Sequence, residues 1–195
     1  MNKNRLEAFS DGVIAIVITI MVLDLKVPHG DNWAALSGLW PVFLCYVLSF
    51  LYVGTYWNNH HHLLHAAKGV TGQVLWVNLH LLFWLSLMPF TTGLMGENHF
   101  APIPTLLYGC NLLACALSYR LLQNTLAASE GPHGEMAKAI GRDGKARLSI
   151  AGYLAGMALA WWQPVAAFLV FLCVPLLWLV PDRRMEAIAA QGHEG

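Results

Sequence analysis

Residues Arg5–Leu23 read RLEAFSDGVIAIVITIMVL. From Val13 onward the run holds no charge and one hydroxyl, Thr19, while a single carboxylate, Asp11, lies just ahead of it. A helix rises about 1.5 Å per residue and the hydrocarbon core of a bilayer is about 30 Å thick, so about 20 such residues cross it. The basic start followed by an apolar run superficially resembles a leader peptide. However, Glu7 and Asp11 interrupt the approach, and Asp24-Leu25-Lys26 follows where small residues would mark a cleavage site. The stretch therefore reads as a spanning helix of the mature protein.

Moving outward, the same rule predicts helices over residues 5–26, 33–64, 73–95 and 102–122. The last apolar stretch, Leu148 to Val180, is too long for one span, and Trp161-Trp162-Gln163-Pro164 lies in its middle. Proline disfavours helix in the residue before it, and paired tryptophans beside a polar residue suit the headgroup level. Two short helices, 148–162 and 164–180, joined by a tight hairpin, follow. Charge placement tests the division. With six crossings, ten of the eleven Lys and Arg residues fall on one side and only Lys26 on the other. With a single final crossing, Arg183 and Arg184 would be left outside. The positive-inside rule makes the basic side cytoplasmic. The expected fold is thus all-α: one polytopic membrane domain, residues 1–195, with six transmembrane helices. Residues 129–147 form a cytoplasmic loop, 181–195 a cytoplasmic tail, and both termini are cytoplasmic.

Composition agrees. Hydrophobic residues make up 57% of the 195 and charged residues only 11%, against roughly 25% charged in soluble proteins. Mean hydropathy is +0.52. The formal net charge of zero gives no basic excess for nucleic acid. Cys45, Cys110, Cys115 and Cys173 sit in apolar runs without metal or redox spacing and read as small hydrophobes. No soluble domain, and hence no soluble partner, is implied.

A carboxylate inside a spanning helix costs about 2.5 to 3.5 kcal/mol at the bilayer centre, and less nearer an end. Asp11 therefore needs partners, either as an anchor to neighbouring helices or as an ion or proton ligand. At about 100° per residue, Gly12, Ile16, Thr19 and Leu23 share one stripe with Ile20 at its edge, and Ser10 and Asp11 point away from it. On spacing alone this stripe is a lipid-facing or core surface. The second helix ends in Tyr56-Trp57-Asn58-Asn59-His60-His61-His62-Leu63-Leu64-His65. His61 or His62 with His65 could share a metal, but zinc needs three or four ligands, and His80 is the only other intramembrane histidine. Hydrogen bonds from some of these groups to Ser10 and Asp11 are the simpler expectation. Asn78 is a further intramembrane polar group in need of a partner.

The run Arg5-x-x-x-Phe9-Ser10-Asp11-Gly12 resembles the opening of the transmembrane-protein-175 family, the lysosomal-type potassium channels and their prokaryotic homologues. Trp57-x-Asn59-His60-His61 resembles its second helix. Leu75-Trp76-Val77-Asn78-Leu79, with Pro89-Phe90 and Gly96-Glu97, resembles its third. The likeness covers about the first hundred residues, and the remainder only in hydropathy. It implies a potassium channel in which the first helices of several six-helix units line a central pore. Because this chain carries one unit, it implies a homotetramer. Ile16, Ile20 and Leu23 would then form stacked apolar constriction rings, and Thr19 a ring of hydroxyls for selectivity. Arg5, Phe9, Ser10, Asp11, Trp57, Asn59, His60, His61 and Asn78 would hold the pore helix, with Arg5 near the cytoplasmic mouth. The extra His62 and His65 depart from the family pattern and leave open which histidine bonds Ser10 or Asp11.

No Thr-Val-Gly-Tyr-Gly filter and no arginine ladder occur in the sequence, so the resemblance implies neither a carbonyl cage nor a voltage sensor. It implies a modest potassium preference over sodium, gating by dewetting of apolar rings, and no cofactor beyond potassium as the permeant ion. The setting is the plasma (inner) membrane of a prokaryote. Two rivals stand beside this non-enzymatic reading. One is a proton-coupled transporter or proton pathway through Asp11 and the histidines. The other is a metal-dependent membrane enzyme using His61, His65 and His80.

Overall fold

The computed structural model describes residues 3–30, 32–130 and 144–179. Regular structure among these is entirely helical. Helix α1 spans Lys3–Leu23 and buries Leu6, Ser10, Ile14, Val17 and Met21, a stripe at spacings of three and four. Helix α2 is a single turn, Trp33–Ser37, started by Asn32, whose side chain accepts from the Ala35 amide at 2.9 Å. Helix α3 spans Trp40–Ala66, with Pro41 in its first turn, where no amide donor is needed. The sequence reading runs one helix over 33–64. Instead, the chain turns at Gly38-Leu39 and then continues for 27 residues, about 40 Å.

Thr71 caps helix α4, Gly72–Ser86, by accepting from the Val74 amide. Helix α5, Met88–Glu97, continues almost in line. Pro89 has no amide hydrogen, so the ladder is interrupted at Leu87 and the two helices together make one 26-residue apolar span. Between α5 and helix α6, Pro102–Glu130, the chain reverses through His99 and Phe100, both at positive φ (50° and 58°). Phe100 is held there by its amide bonding Met95 O at 3.0 Å and by ring contacts with Phe168 and Trp40. Helix α6 runs eight residues beyond the predicted end at 122, because Leu122, Leu126 and Ala127 remain on its buried side.

Helices α7, Gly144–Leu159, and α8, Pro164–Leu179, form a hairpin. Its turn carries Gln163 N to Leu159 O at 2.8 Å, with Trp161 and Trp162 exposed. Each has 16 residues, about 24 Å. Helices α1, α3, α4–α5 and α6 are long and apolar enough to cross a membrane. The greater part of the predicted 129–147 loop and the 181–195 tail, with Lys138, Arg142, Arg183 and Arg184, lies outside the described residues.

The core brings α1 against α3, α4 and α5, and α6 against α4, α5 and α7, with α8 closing on α7, α6 and α3. Phe171 of α8 is fully buried because α6 and α7 offer glycines there. A Cβ at Gly109 would lie 2.7 Å from its ring, and one at Gly156 closer still. Ser49 bonds both Thr92 (2.6 Å) and Tyr108 (2.9 Å), which joins α3, α5 and α6 through hydroxyls that hydrocarbon cannot satisfy.

Candidate functional site

Helix α1 has two unlike faces. On one side Ile16 (57%), Ile20 (45%) and Leu23 (75%) are exposed within the single chain, and Thr19 and Gly12 are exposed beside them. The Thr19 hydroxyl donates to Ile16 O at 2.9 Å. Its proton is therefore committed to the backbone, and its oxygen lone pairs face outward.

The other side carries the polar groups. Ser10 is buried and donates to Leu6 O at 2.9 Å. With its proton used, Ser10 can only accept, and Asn78 of α4 donates its Nδ2 to Ser10 Oγ at 2.9 Å. That leaves Asn78 Oδ1 as acceptor for His60 Nε2 of α3 at 2.7 Å. The order of donation runs from His60 to Asn78 to Ser10 to Leu6 O, and it places the His60 proton on Nε2. All three side chains are buried. His60 Nδ1 has no hydrogen-bond partner among the described residues.

A second row lies nearer the surface. Trp57 Nε1 donates to Asp11 Oδ1 at 3.1 Å, and His61 Nδ1 meets Glu7 Oε1 at 2.8 Å. Glu7 and Asp11 are one turn apart on α1, as are Trp57 and His61 on α3, so the two helices meet in register. The rings of Trp57, His61 and His65 stack along α3 at 6.4 and 6.0 Å. Lys3 Nζ donates to His65 O (3.0 Å) and Ala67 O (3.3 Å), covering the C-terminal carbonyls of α3.

Six of the residues expected around α1 (Ser10, Asp11, Trp57, His60, His61 and Asn78) thus come together. Asn59, expected in the same set, lies about 200° around α3 from Trp57, and its backbone carbonyl accepts the Tyr119 hydroxyl of α6 at 3.0 Å. Arg5 and Phe9 stand on the exposed side of α1. The histidines weighed for a metal do not converge, because His80 pairs with Trp84 on α4 and His61 with Glu7. Among the described residues no group of three or more potential ligands could hold an ion.

The opposite end of α1 carries a cluster that sequence reasoning missed. Lys26 Nζ meets Glu97 Oε1 of α5 at 2.5 Å. Asp24 packs beside Gly93, where an added Cβ would come within 3.2 Å of its carboxylate. Lys26 is the one base on its predicted side, and Glu97 ends the third apolar run, so a cross-check of opposite charges could have found the pair.

Partial burial, and then the Glu97 charge, push the Asp24 carboxyl above its usual range, while Lys26 draws it down. A raised carboxyl pKa means the folded state binds the proton more tightly. Stability is therefore greatest below the ordinary carboxylate range and declines as pH rises through the raised value. Asp24→Asn should then match the parent in thermal midpoint near pH 3 and exceed it slightly at pH 7. An equal or lower midpoint at pH 7 would count against the assignment.

Comparison with known proteins bears on what this arrangement does. The profile of the family described as endosomal/lysosomal potassium channel TMEM175 matches residues 5–89. A potassium channel of Chryseobacterium sp. (strain P1-3) is 50% identical over 186 residues, 95% of this chain and 97% of that one. The human endosomal/lysosomal proton channel TMEM175 is 43% identical over 96 residues, 43% of this chain but 19% of the human one. Among solved structures, a lysosomal potassium-selective channel TMEM175 homologue from Chamaesiphon minutus superposes with a TM-score of 0.80. It is 27% identical, and the match covers 91% of this chain and 96% of that one.

Proposed function

Because the chain belongs to the TMEM175 potassium-channel family, we propose that it is a potassium channel, not an enzyme, and that α1 lines its pore. The observation that carries this reading is the asymmetry of α1. Its polar side is consumed by bonds to α3 and α4, while Ile16, Ile20 and Leu23 with Thr19 are left exposed among the described residues. Four copies around an axis would turn these stripes toward one another. Ile16, Ile20 and Leu23 then form the constrictions. The chain crosses the inner membrane six times with both termini in the cytoplasm, the α7–α8 hairpin supplying the last two crossings.

The chemistry is consistent with cation passage. An apolar neck expels water and bars a hydrated ion until it widens. Thr19, whose proton is bound to Ile16 O, presents only acceptor lone pairs, which favours a partly dehydrated cation over an anion. Liposomes holding the purified protein should release potassium faster than sodium under matched gradients. Thr19→Val, which keeps shape and removes the oxygen, should shift the reversal potential toward the sodium value. An unchanged reversal potential would remove Thr19 from the selectivity role.

A second reading is proton passage, favoured by the titratable row of Glu7, Asp11 and His61 along the α1–α3 contact and by the name of the human relative. Asp11→Asn keeps an acceptor oxygen for Trp57 and cannot titrate. If Asp11 is only a fastener, proton and potassium fluxes should both persist. Selective loss of proton flux would make it a relay.

A further inference from the structure

Helix α1 ends in unlike charges. Arg5, in its first turn, is exposed, and its guanidinium makes no hydrogen bond or ion pair among the described residues. Leu23, the last residue, comes about five full turns later, so the two share one side of the helix about 27 Å apart. Asp24 follows at once. Other charges near the Arg5 end are turned to α3. Glu7 meets His61, Asp11 accepts from Trp57, and Lys3 covers the last carbonyls of that helix. Past Leu23, Lys26 is paired with Glu97 of α5. Asp24 packs against Gly93, and its carboxylate makes no hydrogen bond among the described residues. With Lys26 offsetting Glu97, the negative charge of Asp24 is left uncompensated at this end.

Fixed charge at the mouth of a pore raises or lowers the local concentration of the permeant ion, and flux is limited by supply at the mouth where ions enter. With α1 lining a pore, a cation entering beside Leu23 meets a ring of carboxylates. One entering at the opposite end meets a ring of guanidinium groups. We propose that this polarity makes the channel rectify, passing potassium more readily from the Asp24 end to the Arg5 end than in reverse. In the proposed topology that direction is inward. The inference rests on the pore reading above and adds Arg5 and Asp24 as the residues that set the direction. Neither binds an ion, and nothing in the fold has to move. Because the effect is one of field, salt screens it: the Debye length is about 30 Å at 0.01 M and about 3 Å at 1 M.

Currents through the full chain in inside-out membrane patches, with equal potassium chloride on both faces, test this. Alkaline solution keeps the Asp24 carboxyl, raised above its usual range, ionised. At equal and opposite voltages, inward current should exceed outward current about threefold in about 0.01 M salt, and the two should converge in about 1 M. At the lower salt, Asp24→Asn and Arg5→Gln should each bring the ratio toward one, and Arg5→Lys should keep it. Lys26→Gln, which unmasks Glu97, should raise it. A loss of packing would not move the Asp24 and Lys26 variants in opposite directions, and both lie beyond the helix, so they carry the test if Arg5→Gln fails to fold. Equal currents at low salt, a ratio insensitive to salt, a larger outward current, or a lower ratio in Lys26→Gln overturns the proposal and leaves the pore reading standing. Absence of potassium current from the parent removes the pore reading, and this inference with it.

Discussion

Ile16→Asn is expected to raise resting potassium flux at least about tenfold, since a barrier lowered by about 1.4 kcal/mol suffices for that factor. Ile16 is more than half exposed on α1, away from the bonds that hold the helix to α3 and α4, so an amide there should leave the fold intact. In the proposed ring of copies the substitution would replace an apolar collar with groups that hold water, and the energetic reason for a dry neck would disappear. Ile14→Asn, on the buried side of the same helix, is the matched control. It should destabilise the protein without producing a leak. Flux from potassium-loaded liposomes decides. If Ile16→Asn conducts no more than the parent, the dry-neck reading of this face is wrong.

Asn78→Leu is expected to be the most damaging single substitution around α1. Asn78 is fully buried and, among the described residues, links Ser10 to His60. A leucine of similar size leaves the Nε2 hydrogen of His60 without an acceptor and Ser10 Oγ without its donor. The imidazole N–H left unpaired costs about 1 to 3 kcal/mol, while Ser10, still bonded to Leu6 O, adds less. Breaking the half-exposed Trp57–Asp11 bond with Trp57→Phe should cost less, about 0.6 kcal/mol, the average for interhelical hydrogen bonds in a membrane. Thermal unfolding in detergent should order the two clearly. A midpoint for Asn78→Leu at or above that of Trp57→Phe would show that the buried relay contributes little.

The reach of sequence reasoning here follows from what each inference rests on. Asp11 and Ser10 were legible because a polar group in a spanning helix must find a partner, and periodicity alone separates their side of α1 from the Ile16–Leu23 stripe. The identity of the partners was not. His60, His61 and His62 lie 100° apart on α3, and a run of three leaves the rotation of the helix open. Packing sends His60 inward to Asn78 and His61 toward Glu7, while the Asn59 carbonyl meets Tyr119 of α6. The Ser49–Thr92–Tyr108 junction was beyond reach for a related reason. One hydroxyl in each of three apolar runs is unremarkable until the helices are placed side by side. The break at Gly38-Leu39 escaped because hydropathy is continuous across it, whereas the backbone turns there.

The fastening of α1 at both ends limits how it can move. Near one end Glu7 and Asp11 are tied to α3, and Lys3 holds the last carbonyls of that helix. Past the other, Lys26 is tied to Glu97 of α5. A piston stroke along the helix axis would break every one of these bonds at once, and a roll of half a turn would carry Ser10 out of reach of Asn78. What remains cheap is local. Isoleucine and leucine side chains on the unfastened face can change rotamer without disturbing any tie. If α1 lines the pore as proposed, conductance transitions built on that freedom would be brief, frequent flickers set by side-chain hopping.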